Sequence, residues 1–507
     1  MKNLPWLPAL LLAVLLPTLS HAQTAAESLA QVKKLSEQGN HREAADLGKA
    51  ALAKADATGE LLDATVSALG QLAAAQEQEE VIEAVVKAHP KKWEVLLNAG
   101  IAYRSLPHVG TLTDGKFVRG ETRNWNNRKT TELKDHVRAL QLLEAAWKTL
   151  PTEAGKEDRK PVLSFLGQAF RHGSDYNTNA WSFLHLTDLT QLPDFDDESG
   201  LDEPASGYPV DAEGNPIFFK AAASWETAEN DGERLFWTLE TLAKLGPGEA
   251  YEARKDIAEL TKSWFSVQTL AEYGFRFDAG EDEGSTKSSI ATLDTLKDDE
   301  TVAKLATGPK RFALPDGANF LRLYQTLAEN AEASADARVS AWLEIADELR
   351  DRRQYSRAVE ALRKAIALED DANEKKGIQA QLDQITGNWG RFEPQAAMPA
   401  GKEAKLQLVF RNAKKISLSA RKVDVTKLLA DTEAYLRSEP QENDWQKTNV
   451  SAIGQRLLEK DGEKYLSKPV AEWSQDLEPR GNHLDKRVEV PTPLKDAGAY
   501  LVEGTFE

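Results

Sequence analysis

WLEIADELRDRRQYSRAVEALRKAIALED, residues 342–370, decides the fold class. Apolar or small residues recur there every three or four places: Trp342, Ile345, Ala346 and Leu349, then Tyr355, Ala358, Leu362 and Ala365. This spacing gathers each set on one face of an α-helix. The polar tetrapeptide Asp351-Arg352-Arg353-Gln354 between them predicts a solvated turn, more readily than a basic contact for a partner, so the two helices run antiparallel. Ala346 and Ala358 are small enough to let them approach, while Trp342, Tyr355 and Leu362 fill the space around them. No such helix buries its apolar face alone, which predicts stacked pairs.

The stretch resembles a tetratricopeptide repeat, lacking only the closing proline, replaced by Asp370. A second, interrupted copy places Gly100 and Tyr103 on its first helix and Ala139, Leu143, Ala146 and Pro151 on and after its second, with residues 106–131 as a polar insertion. A weaker third copy has Leu35, Gly39-Asn40, Ala44 and Ala51. Thr24 to about Gln384 is rich in Ala, Leu, Glu and Lys. Its helical stripes include Leu133, Val137, Leu140, Leu143, Ala146 and Leu150, and also Ile257, Leu260, Trp264, Val267 and Leu270. Exceptions are an acidic loop at Asp194–Glu198, a hairpin signal around Asp211-Ala212-Glu213-Gly214-Asn215, and a linker-like GEDEGSTKSS between Asp278 and Lys297. A helix from about Glu233 is expected to stop at Gly246-Pro247.

Near Gly387-Asn388-Trp389-Gly390 the period changes to two. Leu406, Leu408 and Phe410 alternate with other residues, as do Ile416, Leu418 and Ala420, then Val488 and Val490, with a further strand at Ala497–Glu503. A helix at about Thr426–Arg437 and a polar region with Trp445 and Trp473 interrupt this β region.

Phe410-Arg411-Asn412-Ala413, LSARKVDV (418–425), LKDAGAYLVE (494–503) and the block from Tyr208 to Trp237 resemble the bacterial branch of the alpha-2-macroglobulin family. The resemblance implies a first macroglobulin-type β-sandwich preceded by a helical extension. Family members present a cleavable bait and collapse around the protease that cuts it, often attaching it through a thioester. The resulting expectation is a multidomain chain, α then β. Residues 1–22 are a signal peptide. Residues 23–386 form a tetratricopeptide-like α-solenoid with a small hairpin insertion near 208–219, and residues 387–507 an incomplete, truncated macroglobulin-type antiparallel β-sandwich. The expected activity is endopeptidase inhibition by protease trapping, carried by a longer protein. The alternative is a periplasmic scaffold of tetratricopeptide type that binds a protein or peptide partner.

Composition narrows the chemistry. The 507 residues contain no Cys, which removes disulfides, thiolate ligands, a Cys nucleophile, a Cys-linked lipid anchor and a thioester within these residues. Sixty-three Lys and Arg against 81 Asp and Glu give a net charge of −18, unsuited to a broad nucleic-acid surface. Lys2, the apolar run Leu7–Leu16 and Ser20-His21-Ala22 read as a secretory signal cut after Ala22, giving an exported, periplasmic or secreted protein.

The patterns of metalloproteases, serine hydrolases, P-loops and dinucleotide-binding loops are all missing, so a non-enzymatic protein with no catalytic, cofactor or metal residues is expected. Two features stand against that expectation. His172 and His185 with Asp175 and Asp188 form a conceivable metal or acid–base group, outweighed by ordinary surface positions. The acidic run Asp194–Glu203 lacks the glycine register of a calcium loop. Trp93, Trp147, Trp264 and Trp342 lie on or beside apolar stripes and read as core rather than carbohydrate-stacking residues. Trp389 is expected to pack the first β domain against the last helix pair.

Overall fold

The structure, a computed structural model, describes residues 23–120, 127–171, 180–197, 206–273, 292–438, 444, 448, 453–458 and 461–507. The chain is helical first and β afterwards, and it divides into two compact units, Met1–Ala205 with Phe219–Ala250 and Ser206–Phe218 with Tyr251–Glu507. Among the described residues no helix is long and apolar enough to cross a membrane.

The first unit runs α1 (Ala25–Glu37), α2 (His41–Leu52), α3 (Gly59–Gln71), α4 (Ala75–Ala88) and α5 (Trp93–Tyr103), then strands β1 (Val109–Thr113), β2 (Lys116–Arg119) and β3 (Arg128–Thr130). It continues with α6 (Glu132–Thr149), α7 (Lys156–Phe170), the short β4 (Asp196–Asp197) and α8 (Asp231–Ala243). Helices α5 and α6 pack as a pair: a Cβ on Gly100 would lie 2.8 Å from Leu143 Cγ and 3.2 Å from the Ala139 carbonyl oxygen, so only glycine allows this approach. Leu133, placed on the buried stripe of α6 by its spacing, is instead 51% exposed, because the stripe begins at Val137.

Residues 106–131 are more than a polar insertion. Their strands β1, β2 and β3, joined by the distant β4, form an antiparallel sheet of order β2-β1-β3-β4, with Asp114-Gly115 at positive φ in the β1–β2 turn. Its anchor is Arg119, whose side chain is fully buried and bonds both oxygens of the equally buried Asp135 on α6, at 2.6 and 2.8 Å. Arg119 also donates to Glu79 on α4 at 2.9 Å, and Thr131 donates to Asp135 at 2.7 Å.

The second unit contains α9 (Pro247–Phe265), the hairpin β5 (Glu300–Leu305) and β6 (Gly308–Ala313), α10 (Phe320–Glu329), α11 (Ala335–Asp351), α12 (Tyr355–Leu368) and α13 (Ala372–Thr386). Gly246-Pro247 does more than stop α8: Pro247 is the first residue of α9, where its missing N–H leaves no bond unmade. Around Asp211–Asn215 the chain turns back, the Asp211 N–H donating to the Asn215 carbonyl and Val210 bridging to Pro216, and Tyr208 bridges to Leu305 at the edge of β5.

The 342–370 stretch is the antiparallel pair α11/α12, with Ala346, Ala358, Leu362 and Ala365 at zero exposure. Its turn recurs elsewhere in the chain. In α1–α2, α3–α4 and α11–α12 the residue after the C-cap is left-handed: Gly39 at +80°, Ala73 at +52°, Arg353 at +58°. The next N–H returns to the third-last helical carbonyl in each case, Asn40 to Leu35, Ala74 to Leu69 and Gln354 to Leu349.

After α13 come β7 (Trp389–Phe392), β8 (Lys405–Arg411), β9 (Lys415–Val423), α14 (Val425–Arg437), α15 (Ile453–Leu458), β10 (Leu466–Asp476), β11 (Lys486–Pro491) and β12 (Ala499–Phe506). They make two small antiparallel sheets, β11-β8-β7 and β10-β9-β12. Alternate residues of both enter one apolar cluster: Leu408, Phe410 and Val490 from the first sheet, Ile416 and Leu418 from the second, with Phe392, Trp473 and Phe506 packed against them. Each fully buried Leu or Phe side chain there contributes about 1.5–3 kcal/mol.

Candidate functional site

The turn Asp351-Arg352-Arg353-Gln354 is only half-solvated, with Arg352 and Gln354 buried. Arg352 has no exposed surface, its Nε donating to Glu348 at 2.6 Å, its Nη1 to the Lys297 carbonyl at 3.3 Å, and its guanidinium lying 5.7 Å from the Phe320 ring. Gln354 donates to the Leu296 carbonyl at 2.7 Å, and Arg357 pairs with Asp298 at 2.7 Å. Asn319, which caps α10 by accepting from the Arg322 N–H, donates through its amide to the Asp298 carbonyl at 3.0 Å. The α11–α12 turn thus grips a non-strand segment of its own chain, residues 294–298, by backbone carbonyls that no helix or sheet satisfies. Burial pushes the Glu348 carboxyl above its ordinary value while Arg352 beside it pulls it back.

The gripped segment forms one wall of a groove of about 590 Å³, within the size of ordinary ligand pockets. Leu321 on α10, Trp342, Ile345 and Leu349 on α11, and Ala361 on α12 supply apolar lining. Charged groups rim it. Arg322 is paired with Asp316 and Arg357 with Asp298, and the Lys364 ammonium sits 4.1 Å from the Trp342 ring centre. Asp299 and Glu360 complete the rim, and among the described residues neither carboxylate has a hydrogen bond or ion pair. The wall and floor are fixed by hydrogen bonds and packed helices, so the groove is formed in advance of any guest.

The other candidates fall elsewhere. His172, Asp175 and residues 198–203 lie outside the described residues, as do GEDEGSTKSS and Trp445. His185 is 61% exposed and 3.6 Å from Asp231, while Asp188 caps its own turn through Thr190, so the two serve separate local structures. No group of three His, Asp or Glu able to hold a metal occurs among the described residues. Of the acidic run, Asp196 and Asp197 form β4 and pair with β3. Trp264 and Trp342 are core as expected, at 6% and 7% exposure, whereas Trp93 and Trp147 are half-buried, Trp147 set edge-on to Trp237.

Trp389 does not pack the β region onto the last helix pair in the expected way, being 39% exposed. That role falls to its neighbours in sequence and space. The Arg411 guanidinium lies 4.4 Å from the Tyr355 ring and 5.7 Å from the Trp389 ring. Asn412, left-handed at +63°, donates to the Ile385 carbonyl in the last turn of α13 and to the Gly387 carbonyl at its C-cap, both at 2.8 Å. Phe410 and Ala413 on either side are fully buried. Comparison with models of known protein families and with curated proteins gives no match for the chain.

Proposed function

We propose that the chain is the N-terminal part of an exported bacterial alpha-2-macroglobulin-like protein, a non-enzymatic inhibitor that traps endopeptidases when full-length. In this reading the helix pairs form a tetratricopeptide-like solenoid, strands β7 to β12 form the first macroglobulin-type β-sandwich, and residues 1–22 direct export to the periplasm or beyond. The observation that supports it is the junction. The four residues that carry the resemblance, Phe410-Arg411-Asn412-Ala413, bury two side chains in and beside the sheet core and fasten the start of the β region to the end of α13. Helices leading into two small sheets around one core is the order the resemblance implies.

The test uses the protein expressed from its whole reading frame, mixed with trypsin. A small chromogenic substrate should still be cut while a large protein substrate is shielded, and residues 23–507 alone should shield neither. Equal cleavage of both substrates in the presence of the whole protein overturns the proposal.

A second reading is favoured by the groove: a periplasmic scaffold that holds a protein or peptide partner. The groove is preformed, and it needs no segment outside this chain to bind.

A further inference from the structure

PQAAMPAGKE, residues 394–403, joins β7 to β8 and is exposed throughout, the longest run of exposed residues outside helix and strand among those described. Both of its ends are fastened. The Glu393 N–H donates to the Gln407 carbonyl at 2.9 Å, and the Gln395 side-chain amide donates to the Lys405 carbonyl at 2.8 Å. On the far side the Gly401 N–H donates to the Lys495 carbonyl and the Thr492 N–H to the Ala404 carbonyl, both at 2.8 Å. Between these anchors, from Ala396 to Ala400, the backbone makes no hydrogen bond among the described residues. Pro394 and Pro399, with φ fixed at about −65° and no N–H, keep the stretch out of helix and ladder.

An endopeptidase takes its substrate as an extended strand through main-chain N–H and C=O groups that must be free, so bare loop tips with small side chains are where folded chains are nicked. We infer that the Ala396–Ala397 and Ala397–Met398 bonds form a cleavage site for an endopeptidase whose specificity pocket takes a small apolar side chain. The site goes beyond both readings above and needs neither a trap nor a scaffold. Water adds across the bond, leaving a carboxylate on Ala396 or Ala397 and an amine on the residue after it. The next bond is closed because the nitrogen of Pro399 sits in a ring. Lys402, the one cation of the run, is a poorer target for an enzyme of trypsin type, since the Gly401 N–H before it and the Ala404 carbonyl after it are already bonded.

The nick is held on both sides. Strand β7 stays paired with β8 across it, from Trp389 opposite Arg411 to Phe392 opposite Leu408. Glu393 keeps its 2.8 Å bond from Arg487, and Asn412 keeps both of its bonds to the end of α13. The chain is therefore cut without coming apart.

Limited digestion of the full chain with pancreatic elastase, read by intact mass and N-terminal sequencing, tests the site. New ends at Ala397 or Met398 should appear, and the two pieces should co-elute in size exclusion and separate in urea. Ala397→Pro removes both bonds as substrates, breaks no hydrogen bond, and should slow the cut about tenfold or more. Ala397→Lys should open the same place to trypsin faster than the natural Lys402 is cut, which a mere taste of elastase for alanine would not produce. Circular dichroism checks that each variant is folded. If these bonds survive an elastase level that digests the urea-unfolded chain, or if Ala397→Lys is cut by trypsin no faster than Lys402, the site is overturned. Pieces that part in size exclusion without denaturant overturn the held nick.

Discussion

Ala73 occupies the position that Gly39 holds one helix pair earlier, and it holds the same left-handed backbone, +52° against +80°. An L side chain in that region carries a steric cost of about 1–2 kcal/mol that glycine avoids, partly offset by glycine's greater freedom in the unfolded chain. Ala73 is exposed and a glycine there loses no packing. Ala73→Gly is therefore expected to stabilise the protein by roughly 0.5–1 kcal/mol, and Gly39→Ala to destabilise it by about the same amount, read as opposite shifts of the urea midpoint. These turns differ in how far the sequence marks them. The α1–α2 turn announces itself by Gly39-Asn40, and the α11–α12 pair by its aromatic residues. The α3–α4 turn is Ala73-Ala74, whose sequence carries no turn signal although its backbone is the same. Arg352 is a similar case. A charged residue in a polar turn reads as solvated, and nothing local reveals that residues 294–298, more than fifty positions earlier, supply carbonyls for it.

At the scale of elements, the helices with full apolar stripes were legible, and so were the strands of the β region, because their periods of 3.6 and 2 are imposed by a core on one side. The β1–β3 insertion was not, since its strands are short and half-exposed. What holds it is a charge network rather than an apolar face. Asp114-Gly115 was a turn signal that could have found it. The network makes the insertion dependent on single residues. Asp135 accepts from Arg119 and Thr131, and His108 Nδ1 lies 2.9 Å away. Removing its charge leaves Arg119 buried with only Glu79 to neutralise it. Asp135→Asn should cost about 3–5 kcal/mol, seen in chemical unfolding, and should raise amide exchange in residues 107–120 before it does so in α1 and α2. An unchanged midpoint would show that the sheet is held by its backbone bonds alone. The groove was half legible: its floor was read as helix core, but its acidic wall comes from the segment gripped by Arg352 and Gln354 and is visible only in three dimensions.

Across the whole molecule, the most buried described carboxylate of each compact unit, Asp135 in the first and Glu348 in the second, responds to acid with the opposite sign to the other. In the first unit, burial alone would raise Asp135 and Glu83. Hydrogen bonds and charge from His108 and Arg119 in one case, and from Arg138 and Tyr103 in the other, outweigh it and hold both carboxyls below their ordinary values. Groups depressed in this way contribute stability that is complete above the ordinary carboxylate range, about pH 4, and is lost as pH falls through their folded values. In the second unit, burial dominates at Glu348 and Asp351 and raises both. Their folded forms bind protons more readily than the unfolded chain, so stability there declines as pH rises through the interval above about 4 and is regained on acidification. The many exposed ion pairs contribute little in either unit. Lowering the pH from 7 to about 3 should therefore open the first unit while the second is still protected. Amide exchange followed by mass spectrometry, corrected for the intrinsic pH dependence, resolves the two sets of peptides. Exposure of α11 and α12 ahead of α5 and α6 would mean that breaking the Glu348–Arg352 pair costs more than protonating Glu348 gains, reversing the assignment of sign.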